Sequence, residues 1–106
     1  MKHQTGDATL AASINALLNR GNHLMDQGKL AEAIEAYRNL TTLAPQFGPG
    51  YRNLALALEQ DGRLAEALSV CGRAAELQSD DLEAYLVMAR LLLKLERTDQ
   101  DRKSVV

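Results

Sequence analysis

Apolar side chains recur every three or four positions along most of this chain, and strand-type alternation is nearly absent, which predicts helices throughout. Leu10, Ile14, Leu17, Leu18, Leu24 and Met25 mark a first helix. Its candidate N-caps are Thr5, Asp7 and Thr9, and it runs to about Gln27, where Gly28 suits the left-handed position past a helix end. A second helix is predicted from about Leu30 to Leu43, with Ile34, Tyr37 and Leu40 inward. The segment A-P-Q-F-G-P-G then breaks the chain, because two prolines and two glycines cannot continue a helix. A third helix follows over 49–60 with Pro49 in its first turn, then Gly62 ends it. The fourth is predicted from Leu64 to Leu77. The S-D-D cluster at 79–81 caps a fifth, from Leu82 to about Arg97, and the remaining polar tail is expected to fray.

The same pattern is written twice. Residues 28–34 read G-K-L-A-E-A-I and residues 62–68 read G-R-L-A-E-A-L, a displacement of 34 positions. That displacement also relates Asn19 to Asn53, Leu43 to Leu77, Tyr51 to Tyr85 and Ala55 to Ala89. Leu24, Leu58 and Leu92 continue the series. A fixed period of this size marks a unit that stacks on its neighbour to bury a face it cannot bury alone.

This arrangement resembles the tetratricopeptide repeat family, whose unit carries W-x2-L-G-x2-Y, then A-x3-F, then P. In the first unit Leu17, Gly21, Leu24, Ala33, Tyr37 and Pro45 occupy those places; in the second, Tyr51, Leu54, Ala55, Leu58, Ala67 and Cys71 do, with Ser79 replacing the proline. A third, partial unit offers Tyr85, Met88, Ala89 and Leu92. The resemblance implies an all-α fold, a short right-handed superhelix of antiparallel helix pairs with about two and a half repeats, at 14–47, 48–81 and 82–97. The corresponding domain spans 7–97, after a flexible stretch at 1–6 and before a polar tail at 98–106. Small residues, Gly21, Ala55 and Ala89 against Ala33 and Ala67, belong where two helices approach closely.

Composition narrows function mainly by exclusion. The chain has 46% hydrophobic and 25% charged residues and a net charge of −2, a globular balance without the basic footprint of a nucleic-acid binder. No stretch reaches the length of a membrane span, and the N-terminus lacks a signal-peptide apolar core, so the expected location is cytoplasmic. Cys71 is the one cysteine, which rules out an intrachain disulfide and a cysteine-built zinc site. It takes the place of a packing aromatic and reads as a small buried apolar side chain. His23 has Asp26 three positions on, too few ligands for a metal. The G-P-G at 48–50 lacks the lysine and hydroxyl of a phosphate loop. No cofactor, metal or catalytic group is expected. Glu32, Glu35, Asp61 and Glu66 read as solvated acids, with Glu35 and Arg38 spaced for a weak intrahelical pair.

The resemblance implies one functional surface, a concave groove lined by the first helix of each unit and suited to a peptide or partner protein. Glu83, Arg90, Lys94 and Arg97 fall within about 60° on the fifth helix and locate that face. One and two periods back lie Asn53, Leu56 and Gln60, then Asn15, Asn19, Asn22 and Asp26, with Met25, Arg52 and Glu59 alongside. Asparagines donate to and accept from a peptide backbone, so a row of them suits an extended ligand. A variant of this fold grips the terminal carboxylate of chaperone tails with two asparagines and several cations. Asn22 and Asn53 match the asparagines, but Leu18, Glu83 and Val87 stand where the cations belong, so that clamp is not expected. Tyr85, Met88, Leu92 and Leu95 form a face that a sixth helix would cover, with Leu86, Leu91 and Leu93 widening it; a homodimer through this face is expected. The resulting reading is a non-enzymatic interaction scaffold. A small secretion-type chaperone and an accessory domain of a separate enzyme remain the alternatives.

Overall fold

The computed structural model describes the backbone of residues 2–104 and the side chains of residues 8–103. Five helices follow one another: α1 (Lys2–Asp26), α2 (Leu30–Leu43), α3 (Gly48–Gln60), α4 (Leu64–Leu77) and α5 (Leu82–Ser104). Each packs on the next in sequence, and α3 also touches α5. The pairs α1/α2 and α3/α4 are therefore the two complete units, and α5 opens a third. The body measures 66 × 30 × 18 Å, and its thinnest dimension matches two helix layers of about 10 Å each.

The turns inside the units are built alike. Gly28 and Gly62 adopt φ values of 74° and 80°, a conformation that costs a side-chain-bearing residue roughly 1–2 kcal/mol. Lys29 N–H then reaches Leu24 O at 2.9 Å, and Arg63 N–H reaches Leu58 O at 2.9 Å. These bonds satisfy carbonyls that the helix end would leave unpaired. At the junction of the first two units, Pro49 sits in the first turn of α3, and Tyr51 Oη donates to Pro45 O at 3.1 Å.

Alanines dominate the buried contacts. Ala33, Ala55, Ala57, Ala67, Ala74 and Ala84 are fully inaccessible, and Tyr37, Leu40, Leu58 and Leu91 fill the spaces between them. A Cβ at Gly21 would collide with the Tyr37 ring, so the family glycine is there to admit that aromatic side chain. Cys71 is buried as the sequence predicts, and its thiol donates to Ala84 O at 3.2 Å. Burial pushes that thiol up to about 11, the state of an inert packing group.

Three local readings change. The backbone is already helical at Lys2, so Thr5, Asp7 and Thr9 lie within α1 rather than capping it. Helix α5 continues to Ser104 rather than stopping near Arg97, with a Lys103–Asp99 pair at 3.2 Å supporting its last turns. Met1, Val105 and Val106, assigned above to the terminal segments, lie outside the described residues. Arg38 does not pair with Glu35: it reaches Glu66 at 2.5 Å, which ties α2 to α4, and Glu66 also takes Arg63 at 3.3 Å. An interhelical partner one unit away won over the intrahelical neighbour.

Candidate functional site

The residues expected to line the groove come from α1, α3 and α5, but they divide into two groups. On α1, Asn15, Asn19 and Asn22 are exposed, and Met25 is half-buried beside them. Asn15, Asn19 and Asn53 make no side-chain hydrogen bond among the described residues, and Leu56 is a half-buried apolar neighbour on α3. Asn22 is partly committed, since its Oδ1 accepts from Tyr37 Oη at 2.5 Å. Desolvation of that buried phenol, with Asp26 nearby, raises it to about 12, so the hydroxyl remains a donor.

The charged residues between α3 and α5 are bound to one another. Glu59, read from the sequence as a groove side chain, is buried at 8% exposure. Its carboxylate accepts from Arg90 Nε and Nη2, both at 2.7 Å, and from Lys94 Nζ at 2.9 Å. The Arg90 hydrogen bonds are the main cause that holds Glu59 down at about 2; burial opposes them, and Lys94 adds to them. Arg90 is raised in turn, chiefly by the same hydrogen bonds. A second pair lies nearer the start of α5. Arg52 Nη1 meets Asp81 Oδ2 at 2.6 Å, while Asp81 Oδ1 accepts Ala84 N–H at 3.1 Å and caps the helix. Arg52 Nε is buried without a hydrogen bond, and the Glu83 carboxylate stands 3.6 Å from it.

Sequence reasoning counted Arg52, Glu59, Glu83, Arg90 and Lys94 among the groove residues but missed the ion pairs they form. A signal existed: Arg90 and Lys94 lie 31 and 35 positions after Glu59, close to one repeat, which places them on neighbouring first helices. Arg97 is exposed further along α5, with no ion pair among those described. His23 shares a 3.0 Å contact with Gln27, and no three potential metal ligands come together among the described residues.

The face expected to mediate self-association is exposed only in part. Tyr85 and Leu92 are exposed, at 44% and 54%, but Met88 and Leu95 are half-buried. Leu91, counted above as widening the exposed arc, is fully buried. The most exposed large side chains are Leu82 at 71%, Leu93 at 61% and Leu86 at 60%. Helix α5 turns its inner side, Ala84, Val87 and Leu91, toward the core, which rotates Leu82, Leu86 and Leu93 outward.

This is the architecture of a helical-repeat protein, and comparison with known proteins agrees. The Tetratricopeptide repeat family model matches residues 18–82, and the chain belongs to that family. It is 31% identical over 104 residues to the TPR repeat-containing thioredoxin TTL4 of Arabidopsis thaliana, covering 97% of this chain and 15% of that protein. It is 34% identical over 76 residues to the heat shock protein sti1 homolog of Schizosaccharomyces pombe, covering 72% of this chain and 13% of that protein. The chain thus spans a small part of either relative's length. Among solved structures, the first TPR of Spaghetti (RPAP3) bound to the HSP90 peptide SRMEEVD superposes with a TM-score of 0.78 at 26% identity, over 87% of this chain and 73% of that one. The TPR2B domain of yeast Sti1 in complex with an Hsp70 peptide gives 0.79 at 22% identity, over 84% and 71%. The shared fold is the all-α, right-handed superhelix of antiparallel helix pairs.

Proposed function

We propose that this chain is a non-enzymatic scaffold that binds an extended peptide along the face formed by α1 and α3, with α5 as its far wall. The observation that carries the reading is the row of uncommitted amides, Asn15, Asn19 and Asn53, beside the apolar Met25 and Leu56. Amides so placed donate to and accept from a peptide main chain, while the apolar pair accepts a side chain. The Spaghetti domain holding a seven-residue peptide on the same fold supports it. Gripping a terminal carboxylate is not part of the proposal. Val87 is buried at 1% exposure, Leu18 is half-buried and Glu83 is negative, so the cations such a grip needs are missing at those positions. A lone, buried Cys71 is compatible with action in the cytoplasm. The accessory-domain alternative has one observation in its favour, the relation to a TPR repeat-containing thioredoxin.

The test is a peptide-display selection against the purified chain, followed by fluorescence anisotropy with the selected peptide. Replacing Asn15, Asn19 and Asn53 together with alanine should weaken binding at least tenfold, or about 1.4 kcal/mol, with melting nearly unchanged. Asn22 and Arg90 are left in place, because each also holds a buried partner. Full affinity in the triple variant would move the site elsewhere.

The second half of the proposal is self-association through α5. Each large apolar side chain removed from water there contributes roughly 1.5–3 kcal/mol, against an association cost of about 4–15 kcal/mol. Light scattering after gel filtration reads the outcome directly. A single-chain mass at tens of micromolar would remove this half and leave the groove reading standing.

A further inference from the structure

The outward face of α5 carries more than apolar area. Leu82, Leu86, Ala89 and Leu93 are spaced four, three and four residues apart, the seam spacing of two helices packed side by side. At about 100° per residue this stripe lies opposite Leu91, which is fully buried, so α3 and α4 occupy the far side of α5 and leave the seam unobstructed. Ala89 is exposed in the middle of the stripe, where a small side chain lets a second helix axis come close. The two edges of the seam differ. One holds Tyr85 and Leu92; the other holds Glu83 and Arg90, of opposite sign and seven residues apart.

The geometry points to a second copy of this chain as the occupant, its α5 antiparallel to the first about a two-fold axis. This pairing rests on the self-association reading above and specifies its register. Leu82 faces the partner's Leu93, and Leu86 faces the partner's Ala89, each twice by symmetry. In that register Tyr85 meets the partner's Leu92 on one edge, and Glu83 meets the partner's Arg90 on the other. Both edges are therefore self-complementary. A parallel pairing about a two-fold axis would instead set the Glu83 and Arg90 edge against the partner's Tyr85 and Leu92 edge, leaving both charges without an opposite charge. Arg90 is equipped for a second acid: Glu59 takes its Nε and Nη2, which leaves Nη1 outside the hydrogen bonds that hold it. Glu83 is 59% exposed, and its 3.6 Å approach to Arg52 Nε is too long for a hydrogen bond, so its carboxylate is available.

Two exposed seam positions that face each other across the axis provide the test. Leu82→Glu and Leu93→Lys each place a charge against a leucine in a homodimer. A mixture of the two variants sets Glu against Lys at one crossing and Leu against Leu at the other. Light scattering after gel filtration should give the wild type at twice the 11.6 kDa chain mass, each variant alone at 11.6 kDa, and the equimolar mixture back at the doubled mass. Circular dichroism on each variant confirms that helix content is kept. A wild type at 11.6 kDa overturns both self-association and this pairing. A dimeric wild type whose single variants stay dimeric, or whose mixture stays monomeric, overturns the pairing and leaves self-association in place through other contacts.

Discussion

Glu59 is the residue on which the inner wall of the third unit turns. It is a carboxylate placed under α5 at the cost of its hydration, and three donors from Arg90 and Lys94 replace that water. Removing it would leave the two cations without their acid, so Glu59→Gln should lower stability by about 1–3 kcal/mol at neutral pH; the half-exposure of both cations keeps the loss below that of a fully buried pair. The effect has a definite pH dependence. The folded carboxyl titrates at about 2 instead of 4.5, so its contribution is complete above about 4.5 and disappears as the pH falls toward 2. Urea unfolding of wild type and variant should therefore show a gap at pH 7 that narrows steadily below pH 4.5. A gap that stays constant down to pH 2.5 would contradict this account.

At the scale of the element, α5 depends on what happens at its first turn. Asp81 accepts Ala84 N–H with one oxygen and Arg52 with the other, so one side chain both starts the helix and anchors it to α3. Loss of a cap alone costs about 1 kcal/mol. Asp81→Ala also strands Arg52, whose Nε already lacks a hydrogen bond, so the cost should exceed that of a cap. Asp81→Asn should recover the cap but not the ion pair, and land between the two. Chemical denaturation of the three proteins orders them; an Asp81→Ala variant as stable as the wild type would show that α5 is held elsewhere. The turns inside the units make a contrasting case, since Gly28 and Gly62 have no atom near a prospective Cβ. The backbone angle alone demands glycine there.

At the scale of the whole molecule, stability is a chain of nearest-neighbour contacts, because each helix meets the next and little else. A defect in the middle should therefore be felt by the array as a unit. Ala67 is fully buried in the α3–α4 layer, and Ala67→Trp forces a large ring where no volume exists. Overpacking of this kind costs about 1–3 kcal/mol, which for a domain of this size lowers the melting temperature by roughly 4–8 °C per kcal/mol. Calorimetry should show one transition at a lower temperature. An unchanged melting temperature would place Ala67 outside the tight contact.

The sequence by itself determined the repeat, the five helices, the turn glycines and the inward alanines. All of these are set by local periodicity and by backbone conformations that only certain residues adopt. Its register also leads to the expectation that Asn15, Asn19 and Asn53 share one face, because a period of 34 residues carries orientation along with it. The tertiary structure alone decided which polar groups are spoken for. Glu59 with Arg90 and Lys94, Arg52 with Asp81, and Arg38 with Glu66 pair across distances of 28 to 35 residues. A long charged side chain reaches any of several partners, and only the packing of the helices selects one. The rotation of α5 belongs to the same category. Its apolar residues surround most of the helix, so periodicity could not say which of them would face the core. The burial of Leu91 fixed that orientation and left Leu82, Leu86 and Leu93 pointing outward.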